Sequence, residues 1–131
     1  MFTERRRVRF QEVDAAGVVF HARVFDYFHD AYAAFLRARG LSLEAALRDG
    51  SWMAPLGHAE ADYLRPLRFG DELEVTVVAI RVEETEYGVE YRIDVAGETA
   101  CVGRTRHVSV DPETFRRVPL PAAVRGALAG D

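Results

Sequence analysis

One carboxylate in this sequence stands where acyl-transfer chemistry could use it. Asp14 is followed by the small residues 15–17 (Ala-Ala-Gly) and the apolar run 18–20 (Val-Val-Phe), seven positions before the start of a predicted helix. Such a carboxylate can act as a general base or as a nucleophile. The free N–H groups of a helix N-terminus can stabilise the oxyanion that forms on an attacked carbonyl. The same pattern is also typical of an ordinary turn before a helix, so that interpretation stays open.

The four histidines show no recognisable metal-binding pattern. None of the spacings typical of zinc sites occurs among His21, His29, His58 and His107, so we expect no bound metal. We expect His29 to be a packed histidine of the helix core. His58 shares one predicted strand face with Glu60, and this face is expected to line a pocket, to meet another subunit or to be solvated.

Several catalytic classes are excluded by motifs that the sequence lacks. It contains no G-x-S-x-G motif of serine hydrolases and no phosphate-binding G-x-x-x-x-G-K loop. All 17 basic residues are arginine, which excludes Schiff-base chemistry on lysine. Four of these arginines could bind phosphate groups bidentately, although exposed strand arginines are usually solvated: Arg65, Arg68, Arg104 and Arg106.

The composition is that of an ordinary globular protein. The 131 residues, 49% of them hydrophobic and 29% charged, fit one domain over residues 1–131. The net charge of −4 makes nucleic acid a poor partner, and we expect neither a membrane span nor a signal peptide. The single cysteine, Cys101, is expected to be a small apolar residue and agrees with a reducing cytoplasm. A domain of this size has little room for a deep pocket of its own, so its site could lie between subunits.

The elements that would position Asp14 can be read from the apolar periodicity. A long amphipathic helix is predicted over residues 22–39 and ends at Gly40, and a short helix follows over residues 43–49. The long helix carries one continuous apolar stripe, formed by Val24, Phe28, Ala31 and Phe35.

After residue 54 the periodicity changes from helical to alternating. The predicted strands cover residues 5–11, 56–64, 73–82, 87–95 and 99–110, and a C-terminal helix is predicted over residues 121–128. Strands joined by short turns form antiparallel sheets, so the predicted fold class is α+β. We expect a sheet of about five strands wrapped around the one long helix.

Residues 8–22 (VRFQEVDAAGVVFHA) resemble the signature of the hotdog-fold acyl-CoA thioesterases, most of all the branch that includes 4-hydroxybenzoyl-CoA thioesterase. The order of strand, long helix and four strands is also that of the hotdog fold, so the resemblance covers nearly the whole chain. Further stretches are similar to thioesterases that act on 1,4-dihydroxy-2-naphthoyl-CoA in phylloquinone and menaquinone synthesis: 29–32 (HDAY), 58–63 (HAEADY), 66–67 (PL) and 70–71 (GD).

The resemblance implies hydrolysis of an acyl-CoA thioester, with Asp14 either attacking the thioester or activating water. It also implies that a backbone N–H near His21 polarises the thioester carbonyl. The site would lie between two subunits whose sheets join edge to edge, in a homo-oligomer with a dimer as the minimum and a tetramer expected. No metal and no cofactor beyond the CoA of the substrate is implied. Six residues are expected to contact the substrate: Gly17, Val18, Val19, Phe20, His58 and Glu60.

Two other functions remain open from the sequence. A hydratase or dehydratase on the same fold would pair a carboxylate with a histidine, and Asp14 with His21 could form such a pair. A non-catalytic acyl-CoA-binding module would need no carboxylate at position 14. Asp14 in its small, apolar setting therefore favours an enzyme.

Overall fold

The computed structural model describes residues 1–130, which form one antiparallel sheet and three helices. The elements are β1 (Phe2–Arg7), α1 (Arg23–Ala38), α2 (Leu43–Asp49), β2 (Leu56–Tyr63), β3 (Glu72–Val82), β4 (Glu86–Val95), β5 (Glu98–Val108) and α3 (Ala122–Ala129), with a short 3-10 turn at Phe10–Glu12. The strands lie in the order β1-β3-β4-β5-β2, which leaves β1 and β2 at the two edges. The predicted α+β class, with five strands and one long helix, is confirmed.

Helix α1 packs against the inner face of the sheet through its predicted apolar stripe. All four stripe residues are buried, and three further residues of the helix widen the buried face: Tyr27, Tyr32 and Leu36. The alternating apolar residues of β3, β4 and β5 meet this face, because successive side chains of a strand point to opposite sides of the sheet. Gly40, with a φ of +81°, ends α1 as predicted.

The first strand differs from the prediction. It covers Phe2–Arg7 instead of 5–11, because its register on β3 runs from Phe2 opposite Val77 to Arg7 opposite Glu72. Beyond Arg7 only Val8 is still paired, through backbone hydrogen bonds with Gly70 and Asp71 in the turn that precedes β3. After Val8 the chain has no strand to pair with. It turns instead toward α1, which brings the Asp14 segment to the start of that helix.

Smaller differences follow from packing. His29 is exposed and not part of the core, because it lies one position beyond Phe28, off the buried face of α1. The buried histidine is His107, on β5, whose ring stacks on Tyr32 at 4.5 Å between ring centroids. Cys101 is buried, as expected. No helix within residues 1–130 has the length and apolar character needed to cross a bilayer.

Candidate active site

Asp14 lies at the tip of a tight hairpin that precedes α1. Val13 and Val19 pair as an isolated antiparallel bridge, and the Asp14 N–H donates to the Val18 carbonyl at 2.9 Å. The Gly17 N–H closes the turn on the Asp14 carbonyl at 3.0 Å, and Gly17 has a φ of +78°, a conformation that other residues rarely adopt. The small residues after Asp14 therefore form a tight turn, and this turn holds the Asp14 carboxylate at the surface.

The two oxygens of the Asp14 carboxylate have different surroundings. Oδ1 accepts hydrogen bonds from the Ala16 N–H at 2.9 Å and from the Val18 N–H at 3.3 Å. Oδ2 accepts no hydrogen bond from the residues that the structure describes, and the side chain is exposed. The loop thus fixes the direction of the carboxylate through one oxygen and leaves the other available to a ligand or a water molecule.

A buried carboxylate holds the base of this hairpin. Glu12 is only 4% exposed, and its Oε1 accepts hydrogen bonds from the Arg9 N–H and the Tyr27 hydroxyl, both at 2.9 Å. Its Oε2 faces the guanidinium groups of Arg6 at 3.3 Å and Arg9 at 3.2 Å. The backbone carbonyl of Glu12 accepts a hydrogen bond from the Phe20 N–H at 2.9 Å. Glu12 therefore joins the two strands of the hairpin at its base. Glu12 is absent from the predicted site residues, and its place two positions before Asp14 is the signal that could have indicated it.

The surroundings of Glu12 stabilise its ionised form. Burial by itself would raise the pKa of Glu12, but the Arg9 N–H, the Tyr27 hydroxyl, the Arg9 side chain and the Arg6 charge together hold this pKa below its ordinary value of 4.5. A carboxyl whose pKa is lowered on folding stabilises the folded state fully above its unfolded pKa. That contribution is lost as the pH falls through the lowered value.

Replacing Glu12 by glutamine is expected to lower the free energy of unfolding by about 1–3 kcal/mol at neutral pH, because two arginines lose their buried counter-charge. The variant should also lose less stability than the native chain as the pH falls below about 4.5. Urea unfolding across this pH range measures both effects. Glu44→Gln, which removes an exposed carboxylate 3.5 Å from Arg37, is the matched control and should leave the native pH dependence unchanged. Identical pH slopes for Glu12→Gln and native protein would contradict the assignment.

The chain between the hairpin and α1 carries two free backbone donors. The Phe20 carbonyl accepts from the Arg23 N–H at 2.8 Å, and the His21 carbonyl from the Val24 N–H at 3.3 Å. The N–H groups of His21 and Ala22 donate no hydrogen bond within residues 1–130. Unpaired N–H groups at a helix start can receive a developing negative charge. These two groups lie in the short segment that links Asp14 to α1.

A cavity of about 290 Å³ lies beside this segment. His21 is part of its rim, and its walls are mostly apolar: Val18, Val19, Val24, Leu64, Leu67 and Cys101. Burial raises the pKa of the Cys101 thiol to about 12, so this cysteine is neutral at ordinary pH and is not an activated nucleophile. Because most of its lining residues are apolar, the cavity can take an apolar group beside His21.

The structure brings together the predicted site residues that are close in sequence. Asp14 and Gly17 lie in the hairpin, Val18 and Val19 line the cavity, and the rings of Phe20 and His21 contact each other with centroids 4.5 Å apart. The carboxylate of Asp14 and the ring of His21 form neither a hydrogen bond nor an ion pair with each other in the described part of the chain. The Asp–His pair that the alternative hydratase or dehydratase would use is therefore not formed within the described chain.

His58 and Glu60 lie apart from this group. Ala61, between them and Tyr63 on β2, packs toward the core, so alternation places His58 and Glu60 on the outer face of the sheet, away from α1. There the His58 Nε2 is 2.9 Å from a Glu60 oxygen, and the Arg104 guanidinium donates to the other oxygen at 3.0 Å. Their contact with the substrate stays a prediction, because a period-2 pattern identifies a shared face but not what that face meets.

Most of the arginines that could bind phosphate have protein partners. Three of the four lie within 4.0 Å of a carboxylate: Arg65, Arg104 and Arg106. Among residues 1–130, no group of three His, Cys, Asp or Glu side chains is arranged to hold a metal ion.

Solved structures share the fold over almost the whole chain. A 1,4-dihydroxy-2-naphthoyl-CoA thioesterase from Synechocystis superposes with a TM-score of 0.90 at 29% identity, covering 97% of this chain and 94% of its own. A gentisyl-coenzyme A thioesterase superposes with a TM-score of 0.85 at 26% identity, covering 97% of this chain and 99% of its own. Both neighbours are thioesterases, and they confirm the predicted hotdog arrangement.

Sequence comparison leads to the same group. The chain is 37% identical over 118 residues to a 1,4-dihydroxy-2-naphthoyl-CoA hydrolase of Rippkaea orientalis, covering 88% of this chain and 86% of the relative. It is 36% identical to the protein of that name in Synechococcus elongatus, covering 89% and 87% of the two chains. The model of the thioesterase-like superfamily matches residues 8–128, from the residue after β1 to α3. The chain therefore belongs to the thioesterase-like superfamily, in its hotdog-fold form.

Proposed function

We propose that this protein hydrolyses an acyl-CoA thioester to the free acid and CoA, and that the acyl group is 1,4-dihydroxy-2-naphthoyl. The observation that carries the proposal is the Asp14 carboxylate, held by one oxygen in a hairpin whose Val18 and Val19 line an apolar cavity, with two free N–H groups in the segment that follows. The substrate follows from the relatives, which are named for 1,4-dihydroxy-2-naphthoyl-CoA at 35–37% identity.

The proposed reaction uses groups of this chain alone. The thioester carbonyl oxygen accepts a hydrogen bond from the N–H of His21 or Ala22, which makes the carbonyl carbon more electrophilic. The Asp14 carboxylate either deprotonates a water molecule that attacks this carbon, or attacks it directly to form a mixed anhydride that water then hydrolyses. In both routes the carbon–sulfur bond breaks and CoA leaves as the thiolate. No cofactor beyond the CoA of the substrate takes part.

The cavity suits an aromatic acyl group. Its volume of about 290 Å³ and its aliphatic walls favour a flat apolar ring, and the rings of Phe20 and His21 lie at the neighbouring surface. Gly17 lies in the turn between Asp14 and Val18, where a side chain would find open space but a strained backbone. In this proposal residues 17–21 contact the acyl end of the substrate.

A second copy of the chain completes the proposed site. Strand β2 is an edge strand, so one side of its backbone has no partner within the described chain. Large apolar side chains are exposed at its two ends: Leu56, Tyr63 and Leu64. Pairing of β2 with β2 of a second protomer would cover these residues and add a wall beside the cavity. In this proposal the minimum assembly is a dimer, and two dimers form a tetramer. We also propose that the protein is located in the cytoplasm.

A thiol-release assay across a panel of acyl-CoAs tests the function. We expect kcat/KM for 1,4-dihydroxy-2-naphthoyl-CoA to exceed that for benzoyl-CoA and for aliphatic acyl-CoAs by at least about tenfold. An aliphatic preference would contradict the proposed acyl group. Hydration of an enoyl-CoA without release of thiol would contradict thioester hydrolysis, and tight binding of acyl-CoAs without any thiol release would indicate a binding module.

The assembly has its own test. Sedimentation and specific activity measured over a dilution series should show activity falling as the dimer dissociates, because a single chain lacks one wall of the site. A monomer with the full specific activity of the concentrated protein would contradict the shared site.

A further inference from the structure

Tyr27 links helix α1 to the base of the Asp14 hairpin. It is buried, with 0% of its surface exposed, and its hydroxyl donates a hydrogen bond to Glu12 Oε1 at 2.9 Å. The guanidinium group of Arg6 lies over the Tyr27 ring, 4.5 Å from the ring centroid. The ring and the hydroxyl therefore have separate partners, and the partner of the hydroxyl belongs to the hairpin.

The hydrogen bond from Tyr27 to Glu12 has a fixed direction. Burial and the neighbouring Glu12 carboxylate raise the pKa of Tyr27 well above its ordinary value of 10.0, so the hydroxyl keeps its proton. Although burial opposes it, hydrogen bonds and arginine charges hold the pKa of Glu12 below 4.5, so Glu12 is ionised at neutral pH. An ionised carboxylate only accepts hydrogen bonds, and a bond to it is stronger than one between neutral groups.

The two strands of the hairpin are secured by different neighbours. The second strand, residues 17–19, is bonded to residues 67–69: the Val19 N–H donates to the Leu67 carbonyl at 2.8 Å, and the Val18–Arg68 pair forms an isolated bridge. The first strand, residues 12–14, lies on the opposite side of the hairpin and carries the catalytic candidate. The side chain of Glu12 ties this first strand to α1 through Tyr27.

The hairpin is attached to α1 at two places. The first is the chain itself, since two residues separate Phe20 from Arg23, where α1 begins. The second is the hydrogen bond from Tyr27, which lies about one helical turn further along α1. A short linker alone lets the hairpin tilt on the helix, whereas a second contact at a distance from the linker fixes the tilt.

We propose that Tyr27 is a positioning residue for the reaction: its hydrogen bond to Glu12 fixes the hairpin on α1 and thereby places the Asp14 carboxylate at the cavity that the hairpin and α1 line together. Tyr27 acts through Glu12 and does not touch the reacting atoms. The inference rests on the proposed hydrolysis by Asp14 and adds a residue of the helix core to the same site.

Replacing Tyr27 by phenylalanine removes the hydroxyl and keeps the ring beneath Arg6. We expect kcat to fall about tenfold while KM stays within about twofold, because the placement of the carboxylate matters in the chemical step more than in substrate binding. The matched control is Tyr91→Phe, which removes a buried hydroxyl bonded to the Thr105 hydroxyl at 3.0 Å. Tyr91→Phe should lower the melting temperature and leave kcat unchanged. Native kcat in Tyr27→Phe would overturn the proposal.

A second variant weakens the same hydrogen bond and keeps the Tyr27 hydroxyl. In Glu12→Gln the acceptor is a neutral amide oxygen, which binds the hydroxyl less strongly than a carboxylate does. We expect kcat to fall about two- to threefold, again with KM within about twofold. All rates are measured at a temperature at which circular dichroism shows each variant folded. Native kcat with a raised KM in Glu12→Gln would contradict positioning of Asp14.

A double-mutant cycle separates positioning from a general loss of structure. If Tyr27 acts by placing Asp14, adding Tyr27→Phe to Asp14→Asn should lower kcat by less than about twofold, because the group that is placed no longer functions. A further tenfold loss in the Asp14→Asn background would show an effect independent of Asp14 and would overturn the proposal.

The last readout needs no substrate. The Asp14 and Phe20 N–H groups are bonded across the hairpin, so their amide hydrogen exchange reports how firmly it is held. Both should exchange several-fold faster in Tyr27→Phe and at the native rate in Tyr91→Phe, each measured equally far below its melting temperature. If the native protein hydrolyses no acyl-CoA, the proposed function fails, while these rates still decide whether Tyr27 holds the hairpin. Unchanged exchange in Tyr27→Phe would overturn the inference even in an active thioesterase.

Discussion

Replacing Asp14 by asparagine is expected to lower kcat for an aromatic acyl-CoA by at least about 10²-fold and to leave the fold intact. The amide oxygen of asparagine can still accept the hydrogen bonds from the Ala16 and Val18 N–H groups, so the hairpin should keep its shape. The amide nitrogen, however, can neither take a proton from water nor attack a carbonyl. Steady-state thiol release measures the loss, and circular dichroism checks the fold.

The control for this variant lies in a second loop of the same design. Asp111 accepts hydrogen bonds through Oδ1 from the Glu113 N–H at 2.8 Å and the Thr114 N–H at 3.0 Å, outside the candidate site. Asp111→Asn should therefore retain native kcat. Near-native turnover by Asp14→Asn would remove Asp14 as the catalytic group and leave its turn as its only role.

Labelled water distinguishes the two chemical roles of Asp14. In a single turnover in ¹⁸O-water, a general base directs the label into the acid product. A nucleophilic Asp14 forms an anhydride, and attack of water on its aspartyl carbon would leave the label on Asp14 itself. Mass spectrometry of the product and of the peptide containing Asp14 reads out both.

Replacing Gly103 by alanine is expected to lower the free energy of unfolding by about 3 kcal/mol or more, with a fall in melting temperature of about 10 °C. A Cβ at Gly103 would lie 2.7 Å from the Glu60 carbonyl oxygen and would overlap the ring of Phe28. That ring is buried and stacked on Tyr91 with centroids 4.6 Å apart, so it cannot move aside without opening the core. Either α1 or β2 must shift, and both position the candidate site.

A neighbouring glycine provides the matched control. Gly88 lies on β4, beside β5, and a Cβ there would meet its nearest atom, the Thr105 carbonyl oxygen, at 3.8 Å. Gly88→Ala should therefore be neutral or slightly stabilising, since alanine restricts the unfolded chain more than glycine does. Thermal unfolding of both variants tests the comparison. Equal melting temperatures for Gly103→Ala and native protein would show that α1 and β5 do not approach as closely as described.

Features encoded by neighbouring residues could be predicted from the sequence. The apolar stripe that buries α1, the Gly40 stop and the alternating strands depend on side chains a few positions apart, and all were found where predicted within a few residues. The Asp14 segment belongs to the same class. Its turn, its small residues and its approach to a helix start lie within nine consecutive positions, so local chemistry determines them.

Features that depend on pairing between distant segments could not be predicted from the sequence. The end of β1 at Arg7 is set by where β3 begins, and the outward orientation of His58 and Glu60 is set by which face of β2 meets α1. An alternating pattern predicts neither the end of a strand nor its orientation, because it does not show which of the two faces packs against the core.

The sequence by itself determined the fold class, the position of α1 and the catalytic candidate Asp14, because each depends on local periodicity or on a short motif. The tertiary structure alone decided that Glu12 is buried beneath the hairpin and that Tyr63 reaches the His21 carbonyl. Both contacts join segments whose distance depends on the order and register of the whole sheet. That order follows from burying one apolar face against α1, a property of the folded chain and of no single stretch within it.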